Sequence, residues 1–305
     1  MEVVAELPWA RPGWRARAQA WIESQVGGTL GDAEEVKIRP WSAVLRKPTG
    51  AGDVYFKANL PALANEPGLT RLLHRISPEH VLDVLADEPG EGWMLQADGG
   101  PTLGSLLGGT DDLDGLERML AVYAEVQMRA AGHVQELLAA GAPDRRLPQL
   151  RGLFEQLVGE DRHGLLRLAA RLGELAAELD AHGLPATIDH SDLHAWNVFA
   201  PGDRYVVFDW HEAAVTHPFF SMLVAVRSVE HNHGRLVDAY LEPWSGFGSS
   251  ADLRAALDLA LRLGPLTRAL AWKRVLAGLP ADVAGEWGDG VSRWLDDLET
   301  GLGRP

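Results

Sequence analysis

Residues 188–199 read Ile188-Asp189-His190-Ser191-Asp192-Leu193-His194-Ala195-Trp196-Asn197-Val198-Phe199, and 205–210 read Tyr205-Val206-Val207-Phe208-Asp209-Trp210. No other run in the chain is so dense in polar functional groups. His190, Asp192, His194 and Asn197 stand close together, flanked by β-branched and aromatic residues. Such flanks predict two short strands, and Pro201-Gly202-Asp203 between them is turn chemistry. A hairpin of this kind places Asp192, Asn197 and Asp209 around one point. Two carboxylates and an amide oxygen are the donors a hard divalent cation prefers; magnesium takes one or two protein carboxylates and completes its shell with water and phosphate. A polar turn capped by Asp and Asn is the simpler reading of the same residues. It is the weaker one, because loop, spacing and following Asp occur together.

Outward from this island the texture divides the chain. Upstream, residues 12–26 predict a helix with Trp14, Ala18, Trp21, Ile22 and Val26 on one face and Gly27-Gly28 as its stop. Val36–Ile38, Ser42–Arg46 and Val54–Ala58, with the turn cluster Thr49–Gly52, read as a meander of antiparallel strands. A helix follows around Glu66–Arg75, then strands at Val81–Ala86 and Gly92–Gln96. Beyond Asp98-Gly99-Gly100-Pro101 the pattern turns helical: 112–140, 163–182, then 218–242, 251–279 and 281–301, interrupted only by the island at 183–210. The expected fold class is therefore α+β. A small antiparallel-sheet lobe over residues 1–97 leads into a larger, mainly helical lobe over 98–305.

Composition narrows the function. At 305 residues, 46% hydrophobic and 23% charged, the chain has the make-up of a globular protein rather than a disordered one. No apolar run approaches the ~18 residues of a membrane span. Met1–Pro12 lacks the basic-then-apolar order of a signal peptide, so a cytoplasmic location is expected. There is no cysteine, which removes thiol nucleophiles, disulfides and zinc–cysteine sites together. The net charge of −15 argues against a nucleic-acid partner. Residues 1–97 carry 10 basic and 13 acidic groups and 98–305 carry 18 and 30, so the excess is spread nearly in proportion to length. Only four lysines occur, Lys37, Lys47, Lys57 and Lys273, and each merits inspection in a chain that otherwise uses Arg.

The spacing His190-x-Asp192 with Asn197 five residues on, and Asp209 in Phe208-Asp209-Trp210, resembles the aminoglycoside phosphotransferase and choline kinase family, the small-molecule branch of the protein-kinase-like fold. The stretch Ala213–Pro218 is also similar to that family beyond its metal-binding Asp. The resemblance implies an ATP- and magnesium-dependent phosphotransferase that moves a γ-phosphate to a small-molecule hydroxyl. It implies Asp192 as catalytic base and Asn197 and Asp209 as magnesium ligands. His190 and His194 become loop-ordering residues. Lys57 becomes the cation for the α/β-phosphates, and Glu66, at the start of the next helix, its partner.

The resemblance has two departures. No G-x-G-x-x-G is present; Arg39-Pro40-Trp41-Ser42-Ala43 lies where the phosphate-covering loop belongs, leaving Ser42 and nearby backbone amides as expected phosphate donors. Further on, Ser221 stands near a position where the family usually has a second, structural Asp. Gln96 and Ala97, at the end of the last strand, are placed at the hinge beside adenine. The acceptor is a small hydroxyl compound, an aminoglycoside or amino sugar at family level, with choline, a homoserine-like metabolite or a sugar as the alternative. Asp189, Trp196, Trp210, Glu212 and Glu230 are the acceptor-side residues considered, the acids for a cationic acceptor and the indoles for a sugar face. A kinase-like nucleotide-binding pseudoenzyme is the competing class, disfavoured because base and metal-ligand positions are all filled. Monomer and homodimer both remain open.

Overall fold

The computed structural model describes residues 7–108 and 113–303. The expected helix start at 112 and residues 1–6 of the N-terminal segment lie outside them. The expected helix at 12–26 forms as α1 (Trp14–Gln25). Five antiparallel strands follow in the spatial order β1-β2-β3-β5-β4: β1 (Glu34–Arg39), β2 (Ser42–Lys47), β3 (Val54–Asn59), β4 (Ala86–Glu88) and β5 (Trp93–Ala97). Between β3 and β4 runs α2 (Glu66–Ile76).

Alternation along β2 and β3 sorts the sheet into two faces. Ala43, Leu45, Phe56, Ala58, Trp93 and Leu95 form one core with Trp14, Ala18 and Ile22, which recur at helical spacing on α1. Phe56 and Trp93 meet at 5.3 Å in an edge-to-face contact, and Trp14 and Trp21 add further aromatic edges. Lys57, Val44 and Met94 are register partners on the opposite face. The sheet thus spends its apolar face on α1 and turns Lys57 toward the remainder of the molecule.

The strand expected at 81–86 is displaced: the ladder begins only at Ala86. Two local bonds account for it. The Val84 amide donates to the Asp83 carboxylate at 2.8 Å, and the Val207 amide donates to the His80 carbonyl, leaving Val81 in a single parallel bridge with Val207.

Beyond β5 come the short α3 (Leu103–Leu106), α4 (Leu113–Ala130), α5 (Val134–Ala139), α6 (Leu147–Asp161) and α7 (Ala169–Asp180). α6 lies outside the stretches read as helical. It opens with Pro148 in its first turn, a position where proline fits a helix start. The island folds as two small antiparallel pairs, β6 (Thr187–Asp189) with β9 (Ala214–Thr216), and β7 (Val198–Phe199) with β8 (Val206–Val207). The second pair is the hairpin expected around Pro201-Gly202-Asp203. Then follow α8 (Met222–Arg227), α9 (His233–Leu241), α10 (Ser250–Ala277), α11 (Ala281–Trp287) and α12 (Asp289–Leu302).

The 28-residue α10 is a strut between the two parts. Its middle reaches the island through Arg268, and its last turns reach the sheet side through Arg274, which donates to the Ala62 carbonyl at 2.9 Å and to Asn65. Trp272 on this helix and Trp287 on α11 lie nearly parallel at 6.4 Å, and Trp41 meets them edge-on at 5.8 and 5.1 Å. Trp41 belongs to the two-residue β1–β2 turn, so the tip of the first hairpin is held against the C-terminal helices by indole contacts.

Candidate active site

β6 ends at Asp189, and the loop after it turns through Ser191, whose φ is +67°. A serine in the left-handed region costs about 1–2 kcal/mol unless its surroundings hold it there. Here three bonds do so. The Ser191 amide and hydroxyl both donate to the Asp189 carboxylate at 3.0 Å, and the Ser191 carbonyl accepts from Arg268 at 2.6 Å. The turn aims Asp192 into the space between loop and sheet.

His190 and His194 organise this loop from opposite sides. His190 donates from Nε2 to the Phe208 carbonyl at 2.8 Å, while its Nδ1 accepts from the Asp192 amide at 3.4 Å. Burial pushes its pKa down, so the ring is neutral, as that bonding pattern requires. His194 accepts the Trp196 amide at Nδ1 and sets Nε2 3.3 Å from Asp192 Oδ2. The other Asp192 oxygen lies 3.3 Å from Arg268 Nη2. Burial raises the Asp192 carboxyl, but the His194 hydrogen bond and the Arg268 charge outweigh it and hold the group ionised well below the usual carboxylate range.

Asn197 donates from Nδ2 to the Asp192 backbone carbonyl at 3.0 Å. That fixes the amide, and among the described residues no donor reaches its Oδ1. The Phe208 amide donates to the Asn197 carbonyl at 3.1 Å, so the hairpin delivers Asp209 directly beside the loop. Asp209 is itself left-handed, at φ +68°. Its Oδ1 takes both Lys57 and His211 Nδ1, the latter at 2.6 Å, and among the described residues Oδ2 has no protein partner. Lys57 also reaches both Glu66 oxygens, at 2.9 and 2.7 Å, and Asn59 donates to Glu66 Oε2 at 2.7 Å. Burial lowers the Lys57 ammonium, but Asp209 and Glu66 more than compensate and raise it; the converse holds Asp209 well down.

Glu66, Asp209 and His211 bring potential ligand atoms within 4.8 Å of one another. The Lys57 ammonium already bonds both carboxylates there, and His211 Nδ1 is engaged by Asp209, so this cluster is an ion-pair network rather than a cation site. The free Asp209 Oδ2 and Asn197 Oδ1 are the better donor pair, hard oxygens of the kind magnesium takes.

Other expected residues fall differently. Ser42 sits at the turn end of β2 opposite Asn59, on the Lys57 side of the sheet, and Gln96 and Ala97 close β5 just before the chain crosses to the helical part. Trp196 is 61% exposed and lies against α3, where a Cβ on Gly104 would come within 2.6 Å of its ring. Glu230 is exposed between α8 and α9, away from the catalytic loop in sequence. Three acceptor-side expectations need correction. Asp189 is only 1% exposed, and its carboxylate is consumed by Ser191 and Ser221. Trp210 is fully buried, bonds the Val207 carbonyl and packs on Tyr123 and His190. Glu212 pairs with Arg268 at 2.6 Å. None of the three presents its group to a free surface, because each is neutralised or packed inside the island.

The departure at Ser221 finds its explanation here. Ser221 donates to Asp189 and bonds the Tyr123 hydroxyl at 2.7 Å, and that hydroxyl accepts the His190 amide at 2.9 Å. Ser221 thus links the Asp189 carboxylate to Tyr123 beneath the loop. Nearby, His217 caps the following 3-10 turn by accepting the Phe219 amide at Nδ1, and burial pushes its pKa down to about 3. Its folded value lies below the unfolded one, so its contribution is complete above about pH 6.5 and is lost as pH falls. Lowering the pH from about 7.5 to about 5 is expected to cost about 2 kcal/mol through this group alone. Urea unfolding of wild type and His217→Asn, which keeps an accepting cap, measures it: the variant should lose that share of the acid sensitivity, and an identical pH slope would refute the assignment.

Sequence reasoning missed Arg268 and His211. The only signal for Arg268 was an arginine on the apolar side of a helix beside Leu266, Thr267 and Ala269, all buried.

A sheet Lys held by a Glu from the next helix, facing an Asp- and Asn-bearing loop on a helical base, is the architecture of kinase-like phosphotransferases. The chain belongs to the phosphotransferase enzyme family, whose model matches residues 38–282. No curated protein matches it at a significant level. Among solved structures it is similar in fold to choline kinase LicA from Streptococcus pneumoniae (TM-score 0.63, 12% identity, covering 94% of this chain and 98% of that one). It is also similar to a choline/ethanolamine kinase family protein from Mesorhizobium loti (0.62, 18%, 94% and 97%). A third is the macrolide 2′-phosphotransferase MphH from Brachybacterium faecium (0.58, 16%, 96% and 99%). Among the described residues, no helix is long and apolar enough to cross a membrane.

Proposed function

We propose that this chain transfers the γ-phosphoryl group of ATP to a hydroxyl of a small molecule. The observation that carries the reading is the junction of two linked pairs, Asn197 with Asp192 and Asp209 with Lys57, in one space between sheet and loop. In this reading residues 1–97 serve the nucleotide and 98–305 the acceptor. Lys57, held by Glu66, exchanges Asp209 for α/β-phosphate oxygens when nucleotide arrives. Ser42 and the amides of the β1–β2 turn lie on the phosphate side, and Gln96 and Ala97 on the adenine side. Asp209 Oδ2 and Asn197 Oδ1 would hold magnesium, which when bound supplies charge neutralisation across the β- and γ-phosphates. Asp192 orients the acceptor hydroxyl and takes its proton. Being ionised and tethered at both oxygens, it contributes mainly position and charge, as a loose phosphoryl-transfer transition state needs. A cytoplasmic site of action accords with ATP as donor.

For the acceptor we propose a hydroxyl compound bound beside Trp196. An aminoglycoside or amino sugar is the first class to test. The burial of Asp189 and the pairing of Glu212 leave fewer free carboxylates for a polycation, which favours testing choline, amino-alcohols and neutral sugars with equal weight. The test is ATP consumption, with and without magnesium, against a panel of those compounds. Magnesium-dependent turnover with one class supports the reading and names the acceptor. Nucleotide binding without turnover of any compound would turn it toward a nucleotide-binding pseudoenzyme.

A further inference from the structure

Arg268 is the least expected charge in the molecule. It lies in the interior of α10 with its side chain almost wholly buried. A buried guanidinium is costly unless its donors are used; Nε has no partner among the described residues, so the terminal nitrogens carry the bonds. Nη1 donates at 2.6 Å to both the Ser191 carbonyl and Glu212 Oε2, and Nη2 lies 3.3 Å from Asp192 Oδ1. Its plane also approaches the Trp294 ring at 5.7 Å. One planar fork therefore holds the peptide oxygen before Asp192 and one oxygen of the Asp192 carboxylate, while Glu212 balances its charge.

The site of attachment matters. Ser191 is the left-handed residue on which the direction of Asp192 depends, and a serine does not favour that conformation unaided. Its amide and hydroxyl are held from below by Asp189; its carbonyl is held from the helix side by Arg268. Removing the helix-side tether leaves the residue free to relax toward an ordinary φ, which turns Asp192 with it. His194 would still hold Oδ2, so the carboxylate would pivot rather than leave.

We propose that Arg268 is a positioning residue for the phosphotransfer reaction: from α10 it locks the left-handed Ser191 and clamps Asp192 Oδ1, so that the carboxylate meets the acceptor in one fixed orientation. The proposal rests on the assignment of Asp192 as the residue facing the acceptor. It also makes α10 a mechanical link, since one turn beyond Arg268 the same helix carries Trp272, against which the β1–β2 turn is held through Trp41.

The test compares wild type with Arg268→Gln, Arg268→Lys and the double variant Arg268→Lys/Ser191→Gly. Two readouts are taken: hydrogen–deuterium exchange of the 189–197 segment, and steady-state transfer of phosphate from magnesium–ATP to the best acceptor of the panel or, failing one, to water. Arg268→Gln is expected to speed exchange in that segment while sheet exchange is unchanged, and to lower kcat about a hundredfold with little change in KM for ATP. Glycine adopts the left-handed turn without help, so the double variant is expected to recover part of the kcat lost in Arg268→Lys. Unchanged loop exchange in Arg268→Gln, or a wild-type kcat, would overturn the proposal. So would a loss of kcat that glycine at 191 does not relieve. A wild type that phosphorylates no acceptor would instead overturn the functional reading, and loop exchange would still decide whether Arg268 holds the loop.

Discussion

Replacing Asp192 with asparagine is expected to lower phosphoryl transfer by about a thousandfold or more, while magnesium–ATP still binds. The size follows from what the group does: a positioned proton acceptor contributes about 10²–10⁴ to a rate, and here loss of the charge also removes the orienting partner of the acceptor hydroxyl. The retention of binding follows from geometry. Asp192 contacts Arg268, His194 and Asn197, whereas Lys57 and Asp209 form a separate pair that the substitution does not touch. Isothermal titration with magnesium–ATP beside a transfer assay separates the two effects. A variant that transfers at the wild-type rate would show that the loop presents some other group to the acceptor.

Asp209→Ala is expected to act on the other side of that division. It removes the one free carboxylate oxygen offered to magnesium and the charge that holds Lys57. Losing a carboxylate that would hold magnesium is expected to cost about 3 kcal/mol of magnesium–ATP affinity, a weakening of about a hundredfold. The loss should be smaller for ATP without magnesium, because Lys57 keeps Glu66 and remains available to phosphate. An unaltered magnesium dependence of nucleotide binding would remove Asp209 from the metal assignment.

The fold was legible wherever local pattern and tertiary role agree. Trp14, Ala18 and Ile22 announce a helix with one apolar face, and that face is what the sheet uses. The hairpin at Pro201-Gly202-Asp203 was readable because turn chemistry and strand chemistry lie within one short window. The pairing of Lys57 with Glu66, nine positions on, followed from the family resemblance, and the two are joined in the structure. What escaped was decided at long range. Val81–Leu85 has strand composition, yet Asp83 caps the Val84 amide and the ladder starts later. Asp189 and Glu212 look in sequence like acids available to a cationic ligand. Their partners, the Ser221 hydroxyl and the Arg268 guanidinium, lie 32 and 56 positions away and give no local sign of the contact. Trp41 was read only as part of a loop lacking glycines; its contacts with Trp272 and Trp287 come from the far end of the chain. Sequence shows which groups carry charge or aromatic surface, and the fold determines which of them remain unspent.

The central claim is that the space between Lys57, Asp209, Asn197 and Asp192 moves a phosphoryl group from ATP to a hydroxyl. Phosphorus NMR of wild type with magnesium–ATP and the most active acceptor of the panel addresses it directly. The account predicts that the γ-phosphate signal disappears as ADP and a new phosphomonoester of the acceptor grow in equal amount, and that Asp192→Asn produces neither. Release of inorganic phosphate alone with every acceptor, or an acceptor phosphoester formed equally well by Asp192→Asn, would contradict it.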